Sequence, residues 1–489
     1  MTSKAGSFTE RNFFIIIALL MCIRLFHLSK EIDEPHSWRQ CDTANYIDDF
    51  YKNGIDLLHP TVCWMGSRDT VILEFPLPEA IVATTYFVTG KSVLVARIVF
   101  LLFFSVSVIY LYKLVKIIVD EHLARLSLIC YLSLPLSFYY SRAIHIDFFV
   151  IALCHAMVYC ILRSVSAKSP LLLLVSSALL CVILLIKPPY VFYWSIPLFY
   201  WIYRNGKWTM ILKYSLAFLP PVLVFGIWQV YSNTINSRSP DLSYIMGYRP
   251  MTASVTWYFG TIAQRMSLYS WKVLLQRGVL EVTGLGGIVL FLAGLNDLKK
   301  VKHHVMILLW LIAVAVYVLT FFNLNLVHNY YQLPLLAPAS VVMGLGLEYI
   351  HKNFHVSLIF PIVLMLSINL VYSEQSYYTI RNDEIEMAQI IRSHTRLNSK
   401  VIVTNEKMDC RNPRLLYRSE RKGWSVEELA LNSIALDRLE KEQGADYWIY
   451  VGSDLPLHKI KDFLFKHPTS DLYPLKNDNR KVYIFDLNR

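Results

Sequence analysis

From Phe13 to about Ser373 the chain is a succession of apolar runs, each close to the length a helix needs to cross a bilayer. A hydrocarbon core about 30 Å thick takes roughly 20 apolar residues. Within lipid the backbone must satisfy its own polar groups, which favours helices for runs of this kind. The runs lie at 13–28, 94–112, 124–140, 147–163, 170–186, 188–203, 211–231, 279–295, 305–322, 333–350 and 356–373. Eleven spans are therefore expected. Only 17% of the 489 residues are charged, against about 25% in an ordinary soluble domain. The deficit ends near Glu374, where the sequence turns soluble in character. The expected fold is a polytopic α-helical membrane domain over 1–373 with about 11 transmembrane helices, followed by a small extracytoplasmic α/β domain over 374–489.

The net charge of +11 does not point to nucleic acid, because in a membrane protein Lys and Arg gather in cytoplasmic loops and set orientation. With the N-terminus inside, the cytoplasmic loops carry Lys113, Lys116 and Arg125, then Arg163 and Lys168, then Arg204, Lys207 and Lys213, then Lys299, Lys300 and Lys302, and finally Lys352. The short outer connection NLNLVHNYYQ carries none. Nothing after the first apolar run offers a small-residue cleavage site, so that run reads as an uncleaved span. An odd number of spans leaves the C-terminal domain outside. Two long loops then face the same side, Ser29–Ala96 and Ser232–Leu280, and loops of this length in a compact protein are usually functional.

In the C-terminal domain, EIEMAQIIRSH reads as a helix, and VIVTN, YWIYVG and KVYIFDL read as strands. SVEELALNSIALDRLEKE reads as a helical pattern in which Ser425 and Glu428 have capping-box spacing. Five of the eight cysteines lie in apolar runs, where Cys acts as a small hydrophobe. A Cys41–Cys63 bridge is the less favoured reading of the outward ones. No Cys/His cluster has metal spacing, and Walker, GxGxxG and HExxH motifs are all lacking.

The residues able to do chemistry concentrate in the outer segments. The first loop holds Asp33, Glu34, Asp42, Asp48, Asp49, Asp56, Asp69, Glu74 and Glu79, most of which read as a solvated face. Asp42 differs because Arg39, Asp42 and Tyr46 share one face if the segment is helical. A carboxylate there is suited to deprotonating a hydroxyl. Asp147, beside His145 and after Arg142, sits at a span end, where ionisable groups usually face a protein cavity; a snorkelling polar cap is the plainer alternative. His328, Tyr330 and Tyr331 form a third group, for which the interfacial aromatic belt is the competing reading. Lys187, Arg249, Arg265, Lys272 and Arg277 are further outward cations, and arginine forks suit phosphate.

HSWRQCDTANY, LEFPLPEA, IHIDFF and HNYYQLPLLAP, in this order and with this topology, resemble motifs of the GT-C superfamily of membrane glycosyltransferases. The similar branch contains the bacterial protein O-mannosyltransferase-like (family 39-like) enzymes and the aminoarabinose transferases. The resemblance covers the first 160 residues and the 320–340 region, and the rest only loosely. It implies Asp42 as the catalytic acidic residue, acting as general base. It implies a polyprenyl-phosphate-linked monosaccharide donor met at the membrane lipid boundary, with a glycan, lipid or protein hydroxyl as acceptor and inversion at the anomeric carbon. Arg39, Glu74, Arg142, His145, Asp147, Lys187, Arg249, His328, Tyr330 and Tyr331 would then bind substrate. No cofactor follows from the motifs, and a divalent cation is left open. Phe75 stands where the aminoarabinose branch often has Lys, and Thr43 follows Asp42 where that branch has a second acid; the donor sugar is thus not fixed. The expected location is the bacterial inner membrane. The alternatives are a transporter or flippase of lipid-linked glycan and a non-catalytic scaffold of envelope assembly. Carboxylates in outer loops rather than at the bilayer midplane favour the enzyme over the transporter.

Overall fold

The apolar runs form helices, although not one run to one span. A computed structural model of the chain describes residues 10–66, 70–238, 242, 255–405, 412–476 and 478–488. Among these, five helices are long and apolar enough to cross a membrane: Val93–Ile118, Asp147–Ala167, Pro188–Asn236, Asn329–Phe354 and Ile359–Ser376. Leu268–Thr283 and Leu285–Lys300, bent by 92°, form a sixth if taken as one broken span, and Pro170–Ile186 and His304–Thr320 are apolar but shorter. The runs 188–203 and 211–231 lie in one helical stretch broken only by a non-helical Lys207. The run 124–140 is interrupted before Pro135, between Glu121–Leu132 and Pro135–Tyr140, as expected where a proline ring cannot accept the preceding helical turn.

The chain folds as two compact units that are not consecutive stretches of sequence. One comprises residues 1–30, 92–229 and 253–378, and the other 31–91, 230–252 and 379–489. In the first, two buried arginines, Arg24 and Arg97, donate to carbonyl oxygens. Arg24, 2% exposed, donates to the Leu20 and Leu132 carbonyls at 2.5 and 2.7 Å and to Ser137 Oγ at 2.9 Å. Arg97 is fully buried and donates to the carbonyls of His27, Leu28 and Lys30, joining the Val93–Ile118 helix to the end of the first one. A charged group at such depth persists only where backbone oxygens replace water. Glycines bring Leu285–Asp297 and Leu336–Phe354 together: a Cβ on Gly294 would run into the Val342 carbonyl, and one on Gly346 into that of Leu290. Small residues permit this close backbone approach between helices in lipid.

The second unit is built on a five-stranded sheet of β1 (Lys400–Asn405), β2 (Lys422–Glu427), β3 (Tyr447–Gly452), β4 (Asp471–Pro474) and β5 (Lys481–Asp486), in the order β2-β1-β3-β5-β4. The first three strands are parallel, β5 pairs antiparallel with β3, and β4 pairs antiparallel with β5. Strands β1, β3 and β5 and the Asn382–His394 helix fall where the sequence pattern puts them. The expected capping box does not form. Ser425 lies in β2 with its hydroxyl on the Asn412 carbonyl at 2.6 Å. The helix starts instead at Ser433, capped by the Asn432 side chain accepting from Ala435 N at 2.8 Å. The burial needed by Trp424 and Val426 in β2 overrides the local helical pattern.

The core of this sheet includes residues from the first loop. Tyr46, Val62, Cys63, Trp64, Met65 and Val71 are buried in one apolar cluster with Val401, Trp424 and Trp448. At the edge strand β2, Gly423 N donates to the Cys63 carbonyl and Gly66 N to the Gly423 carbonyl, both at 2.9 Å. Cys41 and Cys63 are both free buried thiols, so the Cys41–Cys63 bridge is not formed; Cys410 lies outside the described residues. Gly66 has φ +67, and a Cβ there would enter the Trp424 indole. Gly66→Ala should therefore destabilise the protein by about 2–4 kcal/mol, from left-handed backbone strain and overpacking together, read as a lower thermal midpoint in detergent.

Candidate functional site

Each unit carries one cluster of the side chains singled out by sequence. In the unit of the first loop, Asp42 lies on the helix Ser37–Asn53, which gives Arg39, Asp42 and Tyr46 the shared face that their spacing implies. Asp42 is 3% exposed and its Oδ1 accepts from Trp64 Nε1 at 2.9 Å. Burial pushes its carboxyl up to about 7, with the Arg39 charge and the Trp64 bond acting in the opposite direction. Arg39 forms an ion pair with Glu74. Glu79, 1% exposed, is likewise pushed up to about 7 by burial. Asp33 and Asp48 are buried too, so the first loop is not simply a solvated acidic face. Asp48 is compensated by Lys91 at 2.6 Å.

Tyr46 does structural work beside this carboxylate. Its hydroxyl donates to the Val71 carbonyl at 2.5 Å and accepts from Leu73 N at 3.2 Å, fixing the irregular segment that leads to Glu74. Asn236 completes the hold: its side-chain amide makes two 2.9 Å bonds to the backbone of Ile72. Sequence reasoning missed Trp64 and Asn236, and it named Glu79 only among acids read mostly as a solvated face. The aromatic and acidic residues at 64 and 79 were visible, but nothing local in sequence marks their burial.

In the other unit, Asp147 opens the helix Asp147–Ala167 and is 1% exposed. Its Oδ1 accepts from Lys187 Nζ at 2.5 Å and its Oδ2 lies 2.5 Å from His145 Nδ1. The Tyr190 hydroxyl donates to the same carboxylate and lies 3.1 Å from the Tyr330 carbonyl. The snorkelling alternative for Asp147 is thus excluded by its burial among three partners. Lys187 Nζ sits over the rings of Tyr330 and Tyr331 at 4.8 and 4.3 Å, an arrangement that stabilises a desolvated ammonium. His145 meets the Tyr330 ring at 4.5 Å, and His328 stacks on Tyr330 at 5.0 Å. Tyr330 and His328 are buried, so they are not the exposed rings of an interfacial belt.

Tyr190 was missed by sequence reasoning, although Pro188 and Pro189 were a signal. They end the Pro170–Ile186 helix and start a short 3₁₀ turn, so Lys187 and Tyr190 reach one carboxylate from a single turn. Glu281 was also missed. It accepts from Asn329 Nδ2 at 2.5 Å and from the Tyr377 hydroxyl at 3.1 Å.

The remaining cations go elsewhere. Arg142 lies over the rings of Tyr378 and Tyr139 at 4.5 and 5.7 Å and lines a pocket with Arg24, His27 and Glu374. Arg265 donates to the Leu319, Thr320 and Phe259 carbonyls, and Arg277 to those of Asn325 and Leu326. These two close helix ends, as basic side chains commonly do. Arg249 lies outside the described residues. Among the described residues no three His, Cys, Asp or Glu side chains gather into a metal-holding group.

A sequence profile of the family described as dolichyl-phosphate-mannose-protein mannosyltransferase matches residues 74–242. Among solved structures the chain is similar to ArnT from Cupriavidus metallidurans bound to undecaprenyl phosphate, with a TM-score of 0.67, 12% identity and coverage of 98% of each chain. It is also similar to the oligosaccharyltransferase AglB from Archaeoglobus fulgidus in complex with an inhibitory peptide and a dolichol-phosphate. There the TM-score is 0.56 at 10% identity, covering 98% of this chain and 74% of that one. No curated protein sequence matches the chain. The chain shares the fold of these two proteins.

Two outcomes follow from the clusters. Lys187→Met leaves the Asp147 carboxylate buried without its ammonium and should cost about 3–5 kcal/mol of stability; adding Asp147→Asn should recover part of the lost thermal midpoint. Asp42, with an ordinary value of 3.8 raised to about 7 by the fold, keeps its proton longer folded than unfolded. The stability it contributes is complete below pH 3.8 and is lost as pH rises to about 7. Asp42→Asn removes this titration, so its melting temperature relative to the parent should climb between pH 5 and pH 7.5.

Proposed function

We propose that the chain is an inverting glycosyltransferase that moves a monosaccharide from a polyprenyl-phosphate donor to a hydroxyl acceptor on the extracytoplasmic side of the membrane. The observation that carries this reading is the buried Asp42 carboxyl. It lies beside the Arg39–Glu74 ion pair, and burial raises it to about 7, where a general base works best near neutral pH. The profile match over 74–242 and the fold shared with proteins solved with undecaprenyl phosphate and a dolichol-phosphate support a lipid-phosphate donor.

In this mechanism Asp42 takes the proton of the acceptor hydroxyl as its oxygen attacks the anomeric carbon. The bond from that carbon to the phosphate oxygen breaks on the opposite face, and polyprenyl phosphate leaves with the electron pair. Positive charge at the leaving phosphate lowers the barrier. The sequence resemblance offers Lys187, Arg39, Arg142 and Arg249 as candidates for this charge. His145, His328, Tyr330 and Tyr331 would line the donor site around Asp147, and Glu74 would orient the acceptor through Arg39. On this reading the enzyme works in the bacterial inner membrane, with the N-terminus cytoplasmic and the C-terminal domain outside, in modification of lipopolysaccharide or another envelope glycan.

Membranes carrying the full chain and a labelled polyprenyl-phosphate sugar test this directly. Transfer to a hydroxyl acceptor is expected, and Asp42→Asn should lower it at least about 100-fold, a general-base effect, while the protein still accumulates. Movement of the labelled lipid between leaflets without transfer, or full activity in Asp42→Asn, would overturn the assignment.

A further inference from the structure

The general base is not held by its own helix alone. Asp42 Oδ1 receives the Trp64 indole N–H at 2.9 Å, and Trp64 is 2% exposed. The short segment around Trp64 has no regular structure of its own. Its conformation comes from the sheet of residues 400–486. The Cys63 carbonyl and the Gly66 amide flank Trp64, and both bond Gly423 of the edge strand β2. Cys63 Sγ lies 3.9 Å from the Pro413 carbonyl, and Val62, Cys63 and Met65 are buried in the sheet's core with Trp424. Gly66 carries no side chain at the position where one would meet the Trp424 ring.

The other approach to the Asp42 helix is clasped by the same domain. Arg414 pairs with Glu34 at 3.2 Å, Arg418 donates to the Ile32 carbonyl at 2.9 Å, and Glu34 N donates to the Thr379 carbonyl at 2.9 Å. Glu34 in turn accepts from the amide and hydroxyl of Ser37, the first residue of the helix. Thus residues near both the start of the helix and the Trp64 donor are bound to segments more than 340 positions later in sequence.

We infer that the C-terminal sheet domain is a working part of the catalytic centre: acting through the Cys63–Gly66 segment, it holds Trp64 as the positioning residue that aims and polarises the Asp42 carboxylate. Trp64 touches no reacting atom in this scheme. Its N–H fixes one carboxylate oxygen, leaving the other for the acceptor proton, and it favours the ionised form that a base requires. This inference rests on Asp42 being the base, and the experiment separates the two.

Full-length Trp64→Phe, in membranes, is assayed for sugar transfer across pH 5 to 9. Loss of the N–H should lower kcat at least about tenfold with KM for the donor little changed. The acid limb of the kcat profile should move upward by at least about half a pH unit, as loss of a charge-assisted bond requires. The limb position does not depend on how much protein folds, so reduced yield leaves it readable. Benzothienylalanine at position 64 keeps the ring shape and deletes only the N–H; it should reproduce both effects. If Asp42→Asn is inactive but both Trp64 replacements keep the parental limb and a kcat within twofold, the inference falls and the base assignment stands. Full activity in Asp42→Asn overturns both.

Discussion

Burying a carboxylate is unfavourable unless the surrounding chain replaces the water it loses, and the two clusters meet this requirement to different degrees. Asp147 has an ammonium, an imidazole and a phenol against its two oxygens. Such a group is well compensated and orients its partners: Lys187 is drawn over Tyr330 and Tyr331, and His145 against Tyr330. Asp42 accepts a bond from one indole N–H and feels Arg39, whose own ion pair is with Glu74. It is left short of compensation, and burial dominates its proton affinity. The first arrangement suits a fixed binding wall and the second suits proton transfer, so the proposed division of roles between the two carboxylates rests on their surroundings.

The first loop reaches this state because it does not fold alone. A 60-residue acidic loop in water would keep its carboxylates hydrated. Here its apolar residues Val62, Cys63, Trp64, Met65 and Val71 complete the core of a sheet formed by the last hundred residues, and four of its acids are removed from solvent. The same merger covers the edge strand β2 at Gly423, where an open edge would invite pairing with another chain. Packing of the soluble domain and electrostatics of the candidate base are in this way one problem with one solution.

The fold places side chains from distant parts of the sequence together without a shared linear motif. The Asp147 cluster draws on residues 145–147, 187–190 and 328–331, and the Asp42 cluster on 39–46, 64 and 71–79. Prolines and glycines mark where the chain turns to do this: Pro188 and Pro189 ahead of Tyr190, and Gly66 beneath Trp424.

Much of this was legible in the sequence. Apolar runs and their length mark where helices form because lipid imposes one rule on every run, but not the number of spans, since two runs share the stretch broken at Lys207 and another is split before Pro135. Alternation and β-branched residues mark β1, β3 and β5, and the 3.6-residue period puts Arg39, Asp42 and Tyr46 on one face. What sequence could not decide is burial of polar groups, which depends on partners far along the chain. Trp64 becomes a donor to Asp42 only when β2 fixes its segment, and Ser425 leaves a helical pattern for a strand because Trp424 and Val426 beside it enter the core. Tyr190 joins Asp147 only once the turn after Lys187 meets the start of another helix. Local pattern determines which elements form, since backbone hydrogen bonding and side-chain periodicity are short-range. Which carboxylate is hydrated, paired or poised is a matter of desolvation, and desolvation is set by tertiary packing alone.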